Sequence, residues 1–176
     1  LMLLRRALHI REQQYGGQHP QVGDVLLFMS AQYVAKERWP EAEDTLRRSL
    51  VIAEKHLPEG HPDRLLRMGR LAGILLKVSK QGKAERLFQA VDTFRKSANM
   101  KADNETIQIA LDRGHLYTQQ NQPEKASAAW MQGLIALREE VGPHHPSTST
   151  LLDLCLEPLC KDWPSGSSDL LEAVFA

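Results

Sequence analysis

Tyr15-Gly16-Gly17-Gln18-His19-Pro20 is the stretch that decides how this chain folds. A glycine here can end a helix in the left-handed conformation, and the proline brings a preset φ suited to the first turn of the next helix. Histidine before proline is driven out of the α region, so the break between the two helices is firm. The same dipeptide returns at His61-Pro62, 42 residues on, and again at His145-Pro146, twice that interval further. A fixed interval of this size marks a row of similar supersecondary units rather than one globular core.

Set out on this ruler, the chain divides into residues 1–18, the second helix of a truncated repeat, then units at 19–60, 61–102 and 103–144. Residues 145–176 read as a terminal capping hairpin, atypical because the large Leu156 falls in a column otherwise held by small residues at a helix crossing and is followed by Trp163-Pro164-Ser165-Gly166-Ser167-Ser168. Together these form one solenoid domain. The opening half-hairpin would leave an apolar face to be covered by an upstream helix or by a second copy of the chain.

Each unit reads as two helices. Val22, Leu26, Met29 and Tyr33 step by four, three and four along one helical face, and Ala42, Leu46, Leu50 and Ala53 form the facing stripe. Turn formers lie between them at Glu37-Arg38-Trp39-Pro40, Lys80-Gln81-Gly82 and Asn121-Gln122-Pro123. Small residues recur at Ser30/Ala72/Gly114 and Ala42/Ala84/Ala126, where two helices can cross closely only if neither carries bulk. Unit three departs from the pattern: Asp103-Asn104 replaces His-Pro, Arg113 stands in the column of Met29 and Leu71, and its second helix reads one residue out of step near Gly133.

Those columns, with aromatic or leucine residues at Tyr33/Leu75/Tyr117 and bulky ones at Leu46/Phe88/Trp130, resemble the tetratricopeptide repeat (TPR). The 42-residue form with Arg6-Ala7-Leu8-His9-Ile10-Arg11-Glu12, Gly16 and His19-Pro20, echoed by Leu137-Arg138-Glu139, Gly142 and His145-Pro146, is similar to the repeats of kinesin light chains. The resemblance implies an all-α, right-handed α-solenoid of stacked hairpins, the TPR superhelix. It also implies a concave face made by the first helix of each hairpin.

On that resemblance the partner-facing positions are Asp24, Leu27, Ala31, Val34 and Ala35 in unit one. Unit two contributes Leu66, Gly69, Gly73, Leu76 and Lys77, and unit three Gln108, Leu111, His115, Thr118 and Gln119. Many family members clamp a peptide backbone with asparagines in the second of these columns. Here that column reads Leu27, Gly69 and Leu111, so the backbone clamp does not carry over, and an apolar groove would instead accept a helix through i, i+3 and i+4 anchors or be filled by a neighbouring part of the parent protein.

Composition narrows the function classes. Lys+Arg and Asp+Glu both number 22, so no overall field draws nucleic acid or an anionic membrane. No stretch approaches the ~18 consecutive apolar residues of a membrane span. Two cysteines, Cys155 and Cys160, do not make a disulfide framework, which points to a reducing, cytoplasmic setting, cytoskeletal association included. His144-His145 with Cys155 and Cys160 have zinc-binding types, yet the cysteines stand five apart on an expected helix and diverge, so no metal site is assigned.

His19 and His61 recur with the ruler and read as linker residues rather than proton carriers. Arg5-Arg6 and Arg47-Arg48, on second helices, read as solvated convex pairs with an acidic partner as the alternative. No phosphate-cradling loop, nucleophile elbow or paired-histidine metal motif occurs. The expectation is a non-catalytic protein-interaction module of an adaptor or scaffold, without cofactor, binding a peptide or helix of a protein partner. The alternatives are a structural part of a large, cytoskeletal or motor-associated assembly, or the sensor arm of a multidomain signalling enzyme.

Overall fold

The structure is a computed structural model that describes residues 1–98 and 104–141, excepting the side chains of 104–106, 108 and 137–141. Among the described residues there are seven helices and no strand. They are α1 (Met2–Tyr15), α2 (Pro20–Val34), α3 (Trp39–His56), α4 (Pro62–Lys77), α5 (Gln81–Ser97), α6 (Asn104–Gln119) and α7 (Pro123–Val141). Packing divides the chain into two compact units, Leu1–Met100 and Lys101–Ala176. In the first unit each helix packs on its sequence neighbour from α1 to α5, and in the second α6 packs on α7.

The sequence ruler survives in the helix starts. First helices begin at Pro20, Pro62 and Asn104, second helices at Trp39, Gln81 and Pro123, all 42 apart. The buried columns agree with this register: Ala42, Leu46 and Ser49 in α3 correspond to Ala84, Phe88 and Val91 in α5 and to Ala126, Trp130 and Gly133 in α7. The slip expected near Gly133 is therefore absent. Its lack of a side chain serves close packing instead, because a Cβ there would stand 3.2 Å from the Cβ of Ala110 on α6.

Both stripes read from the first unit are core. Val22, Leu26, Met29 and Tyr33 are buried, as are Ala42, Leu46, Leu50 and Ala53. Val22 and Leu26 cluster with Ile52 of α3, and Leu8 of α1 packs against that cluster. In the second unit the small residue at the crossing answers a different neighbour from the one expected: a Cβ on Gly114 would overlap the indole of Trp130, the bulky column, rather than meet Ala126. The sixteen-residue pairs Ser30/Leu46, Ala72/Phe88 and Gly114/Trp130 trade volume, the small member shrinking as the large one grows.

The hairpin turns share one conformation. Glu37, Ser79 and Asn121 have φ of 55°, 59° and 54°, again 42 apart. In each turn the following amide reaches back five residues, Arg38 N to Tyr33 O at 2.9 Å, Lys80 N to Leu75 O at 2.8 Å and Gln122 N to Tyr117 O at 2.9 Å. The positive-φ residue itself donates three back, as Glu37 does to Val34. This is a Schellman ending, which turns the chain by saturating the last free carbonyls of the first helix. The second turn thus bends at Ser79, one residue before the expected Lys80-Gln81-Gly82, and Gly82 lies inside α5.

The linkers behave differently. Gly16 has a positive φ of 81°, but its ψ of 156° is extended rather than left-handed, so the chain is thrown straight toward α2. His19 and His61 are extended, with ψ of 144° and 133°, as a following proline demands. Each also caps the helix it precedes: the imidazole Nδ1 accepts from the backbone amide of Gln21 at 3.3 Å and of Asp63 at 3.2 Å.

Candidate protein-interaction surface

The candidate face lies on first helices, and in the first unit these are α2 and α4. Along α2 and its C-cap residue, side chains that need not enter the core are exposed at Asp24, Phe28, Ala31 and Ala35, steps of four, three and four that keep them on one arc. The same columns in α4 are Leu66, Arg70 and Gly73, half-buried, and Lys77, exposed. Gly73 is open, since a Cβ there would meet nothing within 4 Å. In the second unit α6 exposes His115, Thr118 and Gln119, with Leu111 half-buried; the Gln108 side chain lies outside the described residues.

Several expected residues are occupied by the fold itself. Leu27, Gly69 and Leu76 are buried, so their place is in the packing, and Leu76 keeps only 1% of its surface exposed. Leu27 and Gly69 sit one helical position off the exposed arc. Val34 is half-buried at the edge of the same arc. Asp24, though exposed, has its carboxylate held by Arg67 Nη2 at 2.6 Å.

Arg67 is the polar centre of the unit. It is 4% exposed, donating to Asp24, to the Asp63 carbonyl at 2.8 Å and through Nε to Ser49 Oγ at 3.0 Å, while Ser49 donates to the Gly23 carbonyl at 2.6 Å. One buried guanidinium thus joins α2, α3 and α4. Glu43 of α3 does the same toward the start of α5, accepting from Lys80 Nζ at 2.8 and 2.9 Å and from Arg47 at 2.8 and 3.0 Å. Burial alone would raise the Glu43 carboxyl; the bonds and charges of Lys80 and Arg47 outweigh it and hold the group below its ordinary value.

Three of the four arginines in the convex basic pairs, read as solvated, are tied to neighbours, which weighs against the acidic-partner alternative, while Arg6 is exposed. Arg47 is spent on Glu43, Arg48 on Glu12 and the Gly17 carbonyl, and Arg5 reaches the Tyr33 hydroxyl at 3.3 Å. The reason is the hairpin stack, which brings α3 beside the end of α1 and the first linker.

Sequence reading missed Phe28, among the described residues the most exposed large apolar one outside α1, at 63%. A signal was present. Its column continues as Arg70 and Asp112, and a column that accepts charge in two units faces solvent in the third. Trp39, at the first hairpin turn, is half-buried with Lys77 Nζ 5.8 Å from its ring centre. Trp130 is buried, and the His115 ring meets it edge-on at 5.8 Å and 75°. His144, His145, Cys155, Cys160, Trp163 and the terminal hairpin lie outside the described residues.

Among the described residues no group of histidine, cysteine and acidic side chains could hold a metal ion, and no helix is long and apolar enough to cross a membrane.

A tetratricopeptide repeat model matches residues 33–63, the span from the end of α2 to the start of α4. No curated protein matches the chain. Among solved structures, the nearly identical TPR-like repeats of a kinesin light chain candidate from Podosopora anserina are similar over 99% of this chain and 82% of that one, with a TM-score of 0.71 and 19% identity. That structure carries a point substitution; a second structure of the repeats gives 0.69 over 99% and 83%, again at 19% identity. BtubC (BKLC) from P. vanneervenii gives 0.68 at 17% identity, over 99% of this chain and 71% of that one. A tetratricopeptide repeat model thus falls on one hairpin turn and its flanking helices, and the all-α hairpin fold is similar to that of kinesin-light-chain-like TPR repeats.

Proposed function

We propose that the chain is a non-catalytic interaction module of an adaptor or scaffold, and that it binds a segment of a protein partner along the first-helix face. The observation that supports this reading is the exposed arc of α2, where Phe28, Ala31 and Ala35 leave an aromatic ring among small side chains that the core does not use. The open backbone at Gly73 and half-buried Leu66 repeat that character on α4. An exposed ring beside small residues on one arc suits an apolar side chain of a partner helix. The helices themselves are spent on stacking, which leaves recognition to surface rather than to an enclosed pocket.

The test is capture of partners by the wild-type chain and by an Ala31→Asp/Gly73→Asp variant, both checked for equal helicity by circular dichroism. Neither substitution enters the core, unlike a change at buried Leu27. Loss of a partner by the folded variant supports the first-helix face; unchanged capture overturns it.

A second reading, a structural part of a larger assembly, is favoured by α1. Met2 and Leu3 are 87% and 82% exposed and Ile10 is exposed as well, an apolar face of the kind that assembly covers.

A further inference from the structure

Ser79 bends the second hairpin turn, and its residue is exposed. Among the described side chains it carries the one serine or threonine hydroxyl exposed outside a helix; the others are buried or lie within helices. The chain around it is of one sign. From Ile74 to Ala84 it holds Lys77, Lys80 and Lys83, all exposed, and no carboxylate. The corresponding stretches at the other two turns are mixed, with Lys36, Glu37, Arg38 and Glu41 in the first and Glu124 beside Lys125 in the third. An exposed hydroxyl in a wholly cationic flank suits a protein kinase that selects its substrates by basic charge.

The fold already carries an anion at this place in a sibling unit. Glu37 stands 42 residues earlier with the same positive φ, is exposed, and is followed by cationic Arg38 as Ser79 is by Lys80. A phosphate on Ser79, with about −1.5 to −2 charges at pH 7, would repeat that order more strongly. The two turns differ in what their cation holds. Arg38 bonds Glu41, three residues on in its own hairpin, whereas Lys80 bonds Glu43 of α3 at 2.8 and 2.9 Å, a carboxylate enclosed by the packing. The Lys80 side chain is 47% exposed, so a phosphate on the neighbouring residue sets a second, stronger acceptor beside the same ammonium.

We propose that Ser79 is a phosphorylation site for a kinase that selects basic substrates, and that its phosphate draws Lys80 from Glu43 and loosens the tie between α3 and the start of α5. In the transfer, Ser79 Oγ bonds to the γ-phosphorus of a nucleoside triphosphate as the bond from that phosphorus to the β,γ-bridging oxygen breaks. The nucleoside diphosphate leaves with the bonding pair, and the hydroxyl proton passes to the kinase's catalytic base. Glu43 then keeps Arg47 as its undivided partner, and the two anions are coupled through the lysine they share. The inference does not depend on where a protein partner binds.

The full chain is incubated with the catalytic domain of a protein kinase C, ATP and magnesium, beside a peptide of residues 74–85. Expected is phosphate on Ser79 of the folded chain, located by mass spectrometry, with that uptake lost in Ser79→Ala. A folded chain left unmodified at Ser79 overturns the site, whether or not the peptide is modified. Urea unfolding with and without the phosphate then reads the competition in the wild type and in Glu43→Gln, with Lys80→Ala as a second background. The phosphate should lower the folding constant of the wild type at least about threefold relative to its effect in either variant, a coupling of the size seen between neighbours in one polar network. An equal effect in the wild type and in a folded variant overturns the competition.

Discussion

Arg67 of α4 donates to Asp24 of α2 at 2.6 Å, although 43 residues separate them in the chain. The guanidinium is buried and the carboxylate largely exposed, so the pair is asymmetric: Arg67 depends on its partners more than Asp24 does. Asp24→Ala leaves Arg67 its bonds to Asp63 and Ser49 and should destabilise the chain by only about 1 kcal/mol, discounted for the solvent around the carboxylate. Arg67→Ala removes the whole junction and opens a void, with an expected loss of about 3 kcal/mol. Urea unfolding of the two variants checks the ratio; equal losses would show that the ion pair, not the buried junction, matters.

The three hairpin turns place Glu37, Ser79 and Asn121 in the left-handed region, which costs residues with a Cβ about 1–2 kcal/mol, with asparagine the best tolerated. Glycine relieves that strain while adding freedom to the unfolded chain, so Glu37→Gly and Ser79→Gly should each stabilise by about 0.5–1 kcal/mol. Asn121→Gly should be nearly neutral. Thermal melting of the three single variants orders them.

Gly114→Ala forces a methyl into the Trp130 indole and should cost about 2–3 kcal/mol, the range for overpacking a filled core. Adding Trp130→Phe reproduces the Ala72/Phe88 pairing of the preceding unit and should recover most of the loss. A double-mutant cycle in which the two changes simply add would show that the volumes are not coupled.

Against its own burial, Glu43 is held below its ordinary value by Lys80 and Arg47. For a depressed carboxyl, stability is fully present above the unfolded value and is lost as pH falls through the lower folded one. Glu43→Gln should therefore weaken the chain near neutrality and unfold with a flatter acid dependence below about pH 5. Equal slopes in acid titrations of wild type and variant would contradict this.

Much of the fold was legible because a repeat copies its own evidence. Positions 42 apart solve the same packing problem, so the stripe through Val22, Leu26, Met29 and Tyr33 and the helix starts at Pro20 and Pro62 could be read without coordinates. The candidate face was less legible. The resemblance placed Leu27, Gly69 and Leu76 on it, and a step of one residue, about 100° around a helix, carried them into the packing.

The amino-acid sequence by itself determined the period, the helical class and the breaks, since these follow from local rules: spacing along a helix face, proline's fixed φ and the restriction it places on the residue before it. Tertiary structure alone decided how polar side chains are used. Arg48 meets Glu12 and Arg67 meets Asp24 because stacked hairpins bring together residues 36 and 43 apart, and no local pattern encodes which charge will be enclosed and which left to solvent.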